Sequence, residues 1–245
     1  MLELPEACTM ASQLKSTVCG KKIHNVTMNE SPHKFAFYIG DPADYRNLLV
    51  GKEFETAVYY GGMVELVANS CKFVFSDGVN LRYHTKGSPR PPKHQMLIEF
   101  SDDTALSASV QMYGGLWCFL EVTFENEYRT VAMNKPSPLS PEFDIHYFRN
   151  LVEANDVQKL SLKAFLATEQ RIPGLGNGVF QDIAWRAGLH PKRIVRSLSQ
   201  DEIGVLFQEI KHLLDWMVSL GGRDTEKDLF GKAGGYGTQM NKRHM

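Results

Sequence analysis

The chain has little cysteine, and what it has is scattered. Cys8, Cys19, Cys71 and Cys118 are the four present, and no two stand in a C-x-x-C pair. A zinc ribbon cannot be assembled from such spacing, and a disulfide framework is not expected. Long hydrophobic runs are also missing, since no apolar stretch approaches the roughly 18 residues of a membrane span. The opening Met1-Leu2-Glu3-Leu4-Pro5-Glu6 has neither the basic nor the apolar part of a signal peptide. A soluble cytoplasmic protein is therefore expected, nucleoid-associated if the source is bacterial, with no membrane partner. Net charge is lacking too. A value of −1 over 245 residues argues against indiscriminate nucleic-acid binding. With 43% hydrophobic and 22% charged residues, the chain is neither collagen-like, coiled-coil nor disordered.

The mean charge hides a split. Residues 1–126 carry an excess of acid and residues 147–245 an excess of base. Seven cations lie between Lys159 and Arg196 (Lys159, Lys163, Arg171, Arg186, Lys192, Arg193 and Arg196) against Glu169 and Asp182 alone. This stretch is either a solvated helical face or a surface that meets phosphate.

The two halves follow different patterns. Pro5 in a first helical turn, Glu6 at the positive helix end, and Ala7, Met10, Ala11, Leu14 and Val18 at helical spacing predict an opening helix closed by Gly20. Strands are then predicted at 34–39, 54–60, 63–68, 71–75, 79–84, 94–100, 104–112 and 116–122, separated by turns such as Gly61-Gly62 and Ser76-Asp77-Gly78. Such closely spaced hairpins imply an antiparallel sandwich or barrel. Lys135-Pro136-Ser137-Pro138-Leu139-Ser140-Pro141 reads as a stiff connector. Beyond it, helices are predicted at 143–154, 162–169, 179–187 and 201–220, the last opened by Ser199 and Glu202 as a capping box. The fold class is thus α+β: a helix and an antiparallel β-sandwich over 1–130, a linker over 131–141, a helical domain over 142–230, and a short tail over 231–245.

The most informative stretch is Arg171-Ile-Pro-Gly174-Leu-Gly176-Asn177-Gly178, followed after one helix by Gly188-Leu189-His190-Pro191. A dinucleotide loop would need a buried strand before the glycines, and residues 162–170 read as helix. The alternative is a helical hairpin whose Gly-rich turn approaches phosphate closely. Asn177 would cap the second helix and leave its free N–H groups facing outward.

Taken with its flanks, Lys163 to Pro191 resembles the helix–two-turn–helix element of the formamidopyrimidine-DNA glycosylase and endonuclease VIII family. Glu3-Leu4-Pro5-Glu6 resembles the family's N-terminal signature, Lys135 to Leu139 its interdomain segment, and Gly234-Gly235-Tyr236 the approach to its C-terminal finger. The resemblance implies excision of damaged bases from duplex DNA, with the lesion flipped out of the stack. An N-terminal proline amine attacks C1′ in that family and a Schiff base forms. Carried over by position, Glu3 is the general acid/base and Glu6 the second acidic residue of the signature. Lys163, Gly176 and Asn177 face phosphate together with Lys192, Arg193 and Tyr236, and Asp182 stands where the family has a glutamate. The implied partner is double-stranded DNA with a damaged base or abasic site, met by a monomer.

The chain departs from the family pattern at four places. Leu2 stands where the family has its proline, so Met1 is expected to remain and supply the amine, displaced by up to about 3.5 Å along an extended chain. Errors of about 1 Å in placement cost on the order of a hundredfold in rate. Tyr59-Tyr60-Gly61-Gly62-Met63-Val64-Glu65 occupies the place of a catalytic lysine. The void-filling loop reads Gln111-Met112-Tyr113-Gly114, keeping an aromatic and offering Met112 as an apolar wedge in place of arginine. The finger's zinc ligands are not found, so no cofactor is expected, and Tyr236, Thr238, Lys242 and Arg243 form its stub or a zinc-free hairpin. Two functions follow: a glycosylase and AP lyase with an atypical N-terminus, or a non-catalytic binder of damaged DNA.

Overall fold

The computed structural model describes residues 1–120 and 126–240. Helix α1 (Leu4–Thr17) opens the chain with Pro5 in its first turn and buries Ala7, Met10, Ala11 and Leu14. Two sheets follow. One has the order β1 (Ile23–Met28), β7 (Met96–Phe100), β8 (Ala105–Val110), β6 (Val79–His84). The other runs β2 (Ala36–Phe37), β9 (Gly114–Leu120), β5 (Cys71–Phe75), β4 (Met63–Ala68), β3 (Thr56–Tyr60). Phe54, Phe73, Phe75, Leu81, Ile98, Phe100 and Leu106 fill the core shared by these sheets and α1.

The sandwich and its antiparallel hairpins match the sequence reading, with local corrections. Strand β1 was not among the expected strands. The strand expected at 34–39 shrinks to two residues that pair in parallel with β9. The short helix α2 (Tyr45–Leu49) follows it. The strand expected at 104–112 stops at Val110, because Met112 adopts a left-handed φ of 61° that a ladder does not accommodate. The end of the strand expected at 116–122 lies outside the described residues.

Helix α3 (Glu127–Asn134) was also unforeseen, so residues 131–134 are helical and not linker. A buried ion pair holds it to the sheet, with Arg129 Nε 2.7 Å from Glu65 Oε2. Past the prolines come α4 (Ile145–Glu153), α5 (Leu162–Ala167), α6 (Asn177–Arg186) and α7 (Gln200–Ser219). The expected capping box is present on α7, where Glu202 N–H donates to Ser199 Oγ at 3.2 Å and Ser199 N–H to Glu202 Oε2 at 2.7 Å. Phe143, Phe148, Phe165, Phe180, Ile210 and Leu214 build a second core. Residues 231–240 fold back on these helices, and Tyr236 is 1% exposed.

Leu2 and Leu4, two residues apart, are buried in different cores. Leu2 belongs to the sheet core and Leu4 to the helical one. Each contributes about 1.5–3 kcal/mol by leaving water, so the first residues bolt the two halves together. A glycine pair completes the junction. Gly174 has a φ of +77°, and a Cβ there would lie 2.4 Å from the carbonyl carbon of Gly61 at the β3–β4 tip.

Gly188 offers a matched contrast, with a φ of +66° and open space around its Cβ position. Gly188→Ala should cost only the left-handed penalty of about 1–2 kcal/mol. Gly174→Ala should cost a further 1–3 kcal/mol or so from forced separation of the two halves. Urea unfolding midpoints of the two variants test this ordering.

Candidate active site

Three backbone segments converge on the first residues. Leu2 N–H donates to the Asp77 carbonyl at 2.6 Å, tying the start of the chain to the turn between β5 and β6. Leu4 N–H donates to the Gly174 carbonyl at 2.8 Å, tying it to the loop before α6. The third segment is the stretch after α7, which supplies Arg223 and Glu226.

Glu3 turns inward between these anchors. Its Oε1 accepts from Gly178 N–H at 2.9 Å and its Oε2 from Val179 N–H at 2.8 Å. These are donors that the first turn of a helix leaves unsatisfied, and the helix dipole adds to their pull on an anion. Gly176 is the N-cap of α6 and Asn177 its first residue, so Asn177 is not the cap that the sequence suggested. The cap is a carboxylate from 175 residues earlier.

Arg223 completes the cluster. Its Nε and Nη2 donate to Glu6 Oε1 and Oε2 at 3.0 and 2.8 Å, and its Nη1 to Glu3 Oε1 at 3.3 Å. Its own backbone N–H reaches Glu6 Oε1 at 3.1 Å. Arg223, Glu3 and Glu6 are 3%, 4% and 7% exposed. Burial pushes the Glu3 carboxyl up from its ordinary value, opposed by the Arg223 charge and by the Val179 and Gly178 amides. Burial alone would lower the Arg223 guanidinium, and Glu3 and Glu6 more than offset that. The room for this cluster explains the glycines: a Cβ on Gly178 would stand 1.7 Å from Arg223 Nη1, and one on Gly176 2.6 Å from Glu3 Cδ.

The Met1 amine stays outside the cluster. It is ion-paired with the Glu226 carboxylate, and Met1 is 38% exposed. Arg223 Nη2 lies 3.4 Å from the Met1 carbonyl. The Asp77 carboxyl is also close. Burial pushes it up, while the Ser76 hydroxyl and the Met1 ammonium hold it down.

The turn that holds Leu2 also holds the expected void-filling loop. Gln111 N–H donates to the Gly78 carbonyl and Gly78 N–H to the Tyr113 carbonyl, both at 2.9 Å. Met112 is 71% exposed and Tyr113 40%. Lys163, Asn177 and Lys192 are exposed. Arg193 is exposed as well, and donates to Ser197 and, at 3.1 Å, to Glu202. One expected contact requires correction. Tyr236 is a core residue packed edge-on to Trp216 at 5.2 Å, so its ring is not available to DNA. Asp182 is buried and accepts the N–H groups of Gln239 and Met240 at 3.0 and 2.9 Å, pinning the tail. Glu3 and Glu6 are brought together as expected. The Glu3 carboxylate accepts from Gly178, Val179 and Arg223, all within the protein.

Arg223 and Glu226 had no signal in the sequence beyond a Gly-Gly stop after α7 followed by mixed charge. Among the described residues no group of three or more His, Cys, Asp or Glu side chains is placed to hold a metal ion. No helix among them is long and apolar enough to cross a membrane. Lys242 and Arg243 lie outside the described residues.

Comparison with known proteins agrees with this architecture. The formamidopyrimidine-DNA glycosylase H2TH domain model matches residues 135–228. The formamidopyrimidine-DNA glycosylase of Carboxydothermus hydrogenoformans is 30% identical over 227 residues, covering 87% of this chain and 76% of that one. The Cytobacillus firmus enzyme of the same name is 27% identical, with 91% and 80% covered. Among solved structures, the Lactococcus lactis Fpg in complex with DNA containing an abasic site superposes with a TM-score of 0.78 at 21% identity, over 95% of this chain and 84% of that one. The MutM (Fpg) protein of Thermus thermophilus gives 0.74 at 23%, with the same coverage. The chain belongs to the formamidopyrimidine-DNA glycosylase family.

Removing Arg223 strands two buried carboxylates. Arg223→Met should lower the unfolding free energy by about 3–5 kcal/mol, read from denaturant unfolding. Arg193→Met, on a partly exposed guanidinium, should change it by under about 1 kcal/mol.

Proposed function

We propose that this chain is a DNA N-glycosylase and AP lyase of base excision repair, acting as a monomer on oxidised bases or abasic sites in duplex DNA, with the Met1 amine as nucleophile. The observation that carries this reading is the placement of that amine. It is ion-paired with Glu226 at the surface, and Leu2 N–H anchors it to the Asp77 turn, which is hydrogen-bonded in turn to the loop carrying the exposed Met112 and Tyr113. The names of the relatives, formamidopyrimidine-DNA glycosylases, point the same way.

In this reading the basic face of α5 and the α6 loop, with Lys163, Asn177 and Lys192, grips phosphates. Met112 and Tyr113 fill the gap left by the flipped nucleotide. The deprotonated Met1 nitrogen bonds to C1′ as the C1′–N bond to the base breaks and the base leaves with a proton. Ring opening then gives an iminium, and loss of a C2′ proton expels the 3′ phosphate. The chemistry as proposed runs on the chain's own amine. Glu3 positions the amine and serves the lesion only through the frame it holds.

A second reading rests on Leu2. Its side chain is buried and proline's amine is absent, which suits a protein that recognises damage without cutting. Borohydride trapping on a labelled duplex with an abasic site separates the two. A covalent adduct on the N-terminal peptide is the expected result. Tight binding in a gel shift without an adduct would leave only the binder.

Phosphate contact has its own signature. Lys163→Ala should weaken binding and flatten the log–log salt dependence by about 0.9, the share of one phosphate contact. Asn177→Ala should weaken binding with that slope unchanged. Filter-binding titrations across a salt series read both.

A further inference from the structure

Resting on the reading of Met1 as nucleophile, we infer that Glu226, not Glu3, exchanges protons with the Met1 amine during imine formation. A nucleophilic ammonium must first surrender a proton, and the acceptor has to touch the nitrogen. Two carboxylates near the N-terminus compete for that role. Glu3 is 4% exposed, and its two oxygens already accept from Gly178, Val179 and Arg223. Glu226 is the carboxylate in contact with the amine, and its side chain is 25% exposed, open enough to return a proton to a departing oxygen.

The surroundings fit this division. The amine faces Glu226 from the segment after α7, the Asp77 carboxyl from the turn between β5 and β6, and the Arg223 guanidinium beneath the Met1 carbonyl. Arg223 is committed to Glu6 and Glu3 through its three nitrogens. It therefore fixes the Met1 backbone without competing for the proton. The Asp77 main chain is likewise committed, holding Leu2 N–H.

The step balances on these groups. The Met1 ammonium passes one proton to the Glu226 carboxylate. The freed lone pair bonds to C1′ of the ring-opened abasic sugar while the C1′=O π pair moves to oxygen. That oxygen takes up the second amine proton, giving a carbinolamine. The Glu226 carboxylic acid then protonates the hydroxyl, which leaves as water as the N–C1′ double bond forms. Glu226 ends as it began, and ammonium plus aldehyde have become iminium plus water.

The test is single-turnover borohydride trapping on an abasic duplex from pH 5.5 to 9, with wild type, Glu226→Gln and Glu226→Asp. Wild type should trap at the N-terminal peptide. Glu226→Gln should trap about a hundredfold more slowly at pH 6.5. That deficit should narrow as the pH rises, because hydroxide in solvent then takes the proton that Glu226 takes at pH 6.5. Glu226→Asp, which keeps a carboxylate, should recover most of the rate. An ion pair that merely tethers the amine predicts the opposite sign: Glu226→Gln would release the amine and trap as fast or faster at pH 6.5. That result would overturn the inference while leaving the nucleophile in place. Equal slowing in the Gln and Asp variants, with a flat ratio across pH, would also overturn it. Absence of any adduct in wild type would remove the nucleophile itself, and this inference with it.

Discussion

The Arg223 guanidinium lies between two carboxylates from the first turn of α1, and one of them also caps α6 through Gly178 and Val179. This contact joins the opening residues, the first helix, the glycine turn and the segment after the longest helix. Two negative charges and one positive one share a dry space, and the amides of α6 supply the rest of the compensation. The position of the Met1 amine, the closeness of Gly61 to Gly174 and the seating of Tyr236 all depend on this joint remaining shut.

What the sequence revealed and what it hid divide along range. Ser199 and Glu202, Pro5 and Glu6, and the β-branched and aromatic runs of β4 to β8 with the turns between them act on neighbours a few positions away, and their signals survive in a linear reading. Strand β1 and helix α3 are specified by distant partners. Helix α3 is held by Arg129 on Glu65, and β1 pairs with β7. Neither partner announces itself locally. The two-residue β2 is the same case, being defined by its pairing with β9.

The glycine-rich turn is the most instructive miss. Gly176-Asn177-Gly178 was read as an anion cradle, and it is one, but the anion it holds is Glu3. The chemistry was legible and the occupant was not, since a backbone site for carboxylate and one for phosphate need the same small residues and the same helix end. Arg223, whose guanidinium fills the space beside Gly178, had no pattern to mark it. Tyr236 misleads for a related reason. An aromatic reads equally well as a DNA contact or as the core partner of Trp216.

The contact between Met1 and Glu226 spans 225 positions. The entropy of closing so long a loop grows only slowly with length, but the closure cannot occur until the chain past α7 exists. The Met1 amine therefore finds its place only once the segment carrying Glu226 is in position. The place of the Met1 amine is thus set by a carboxylate from the far end of the fold, so a change in the segment after α7 reaches the opening residue directly.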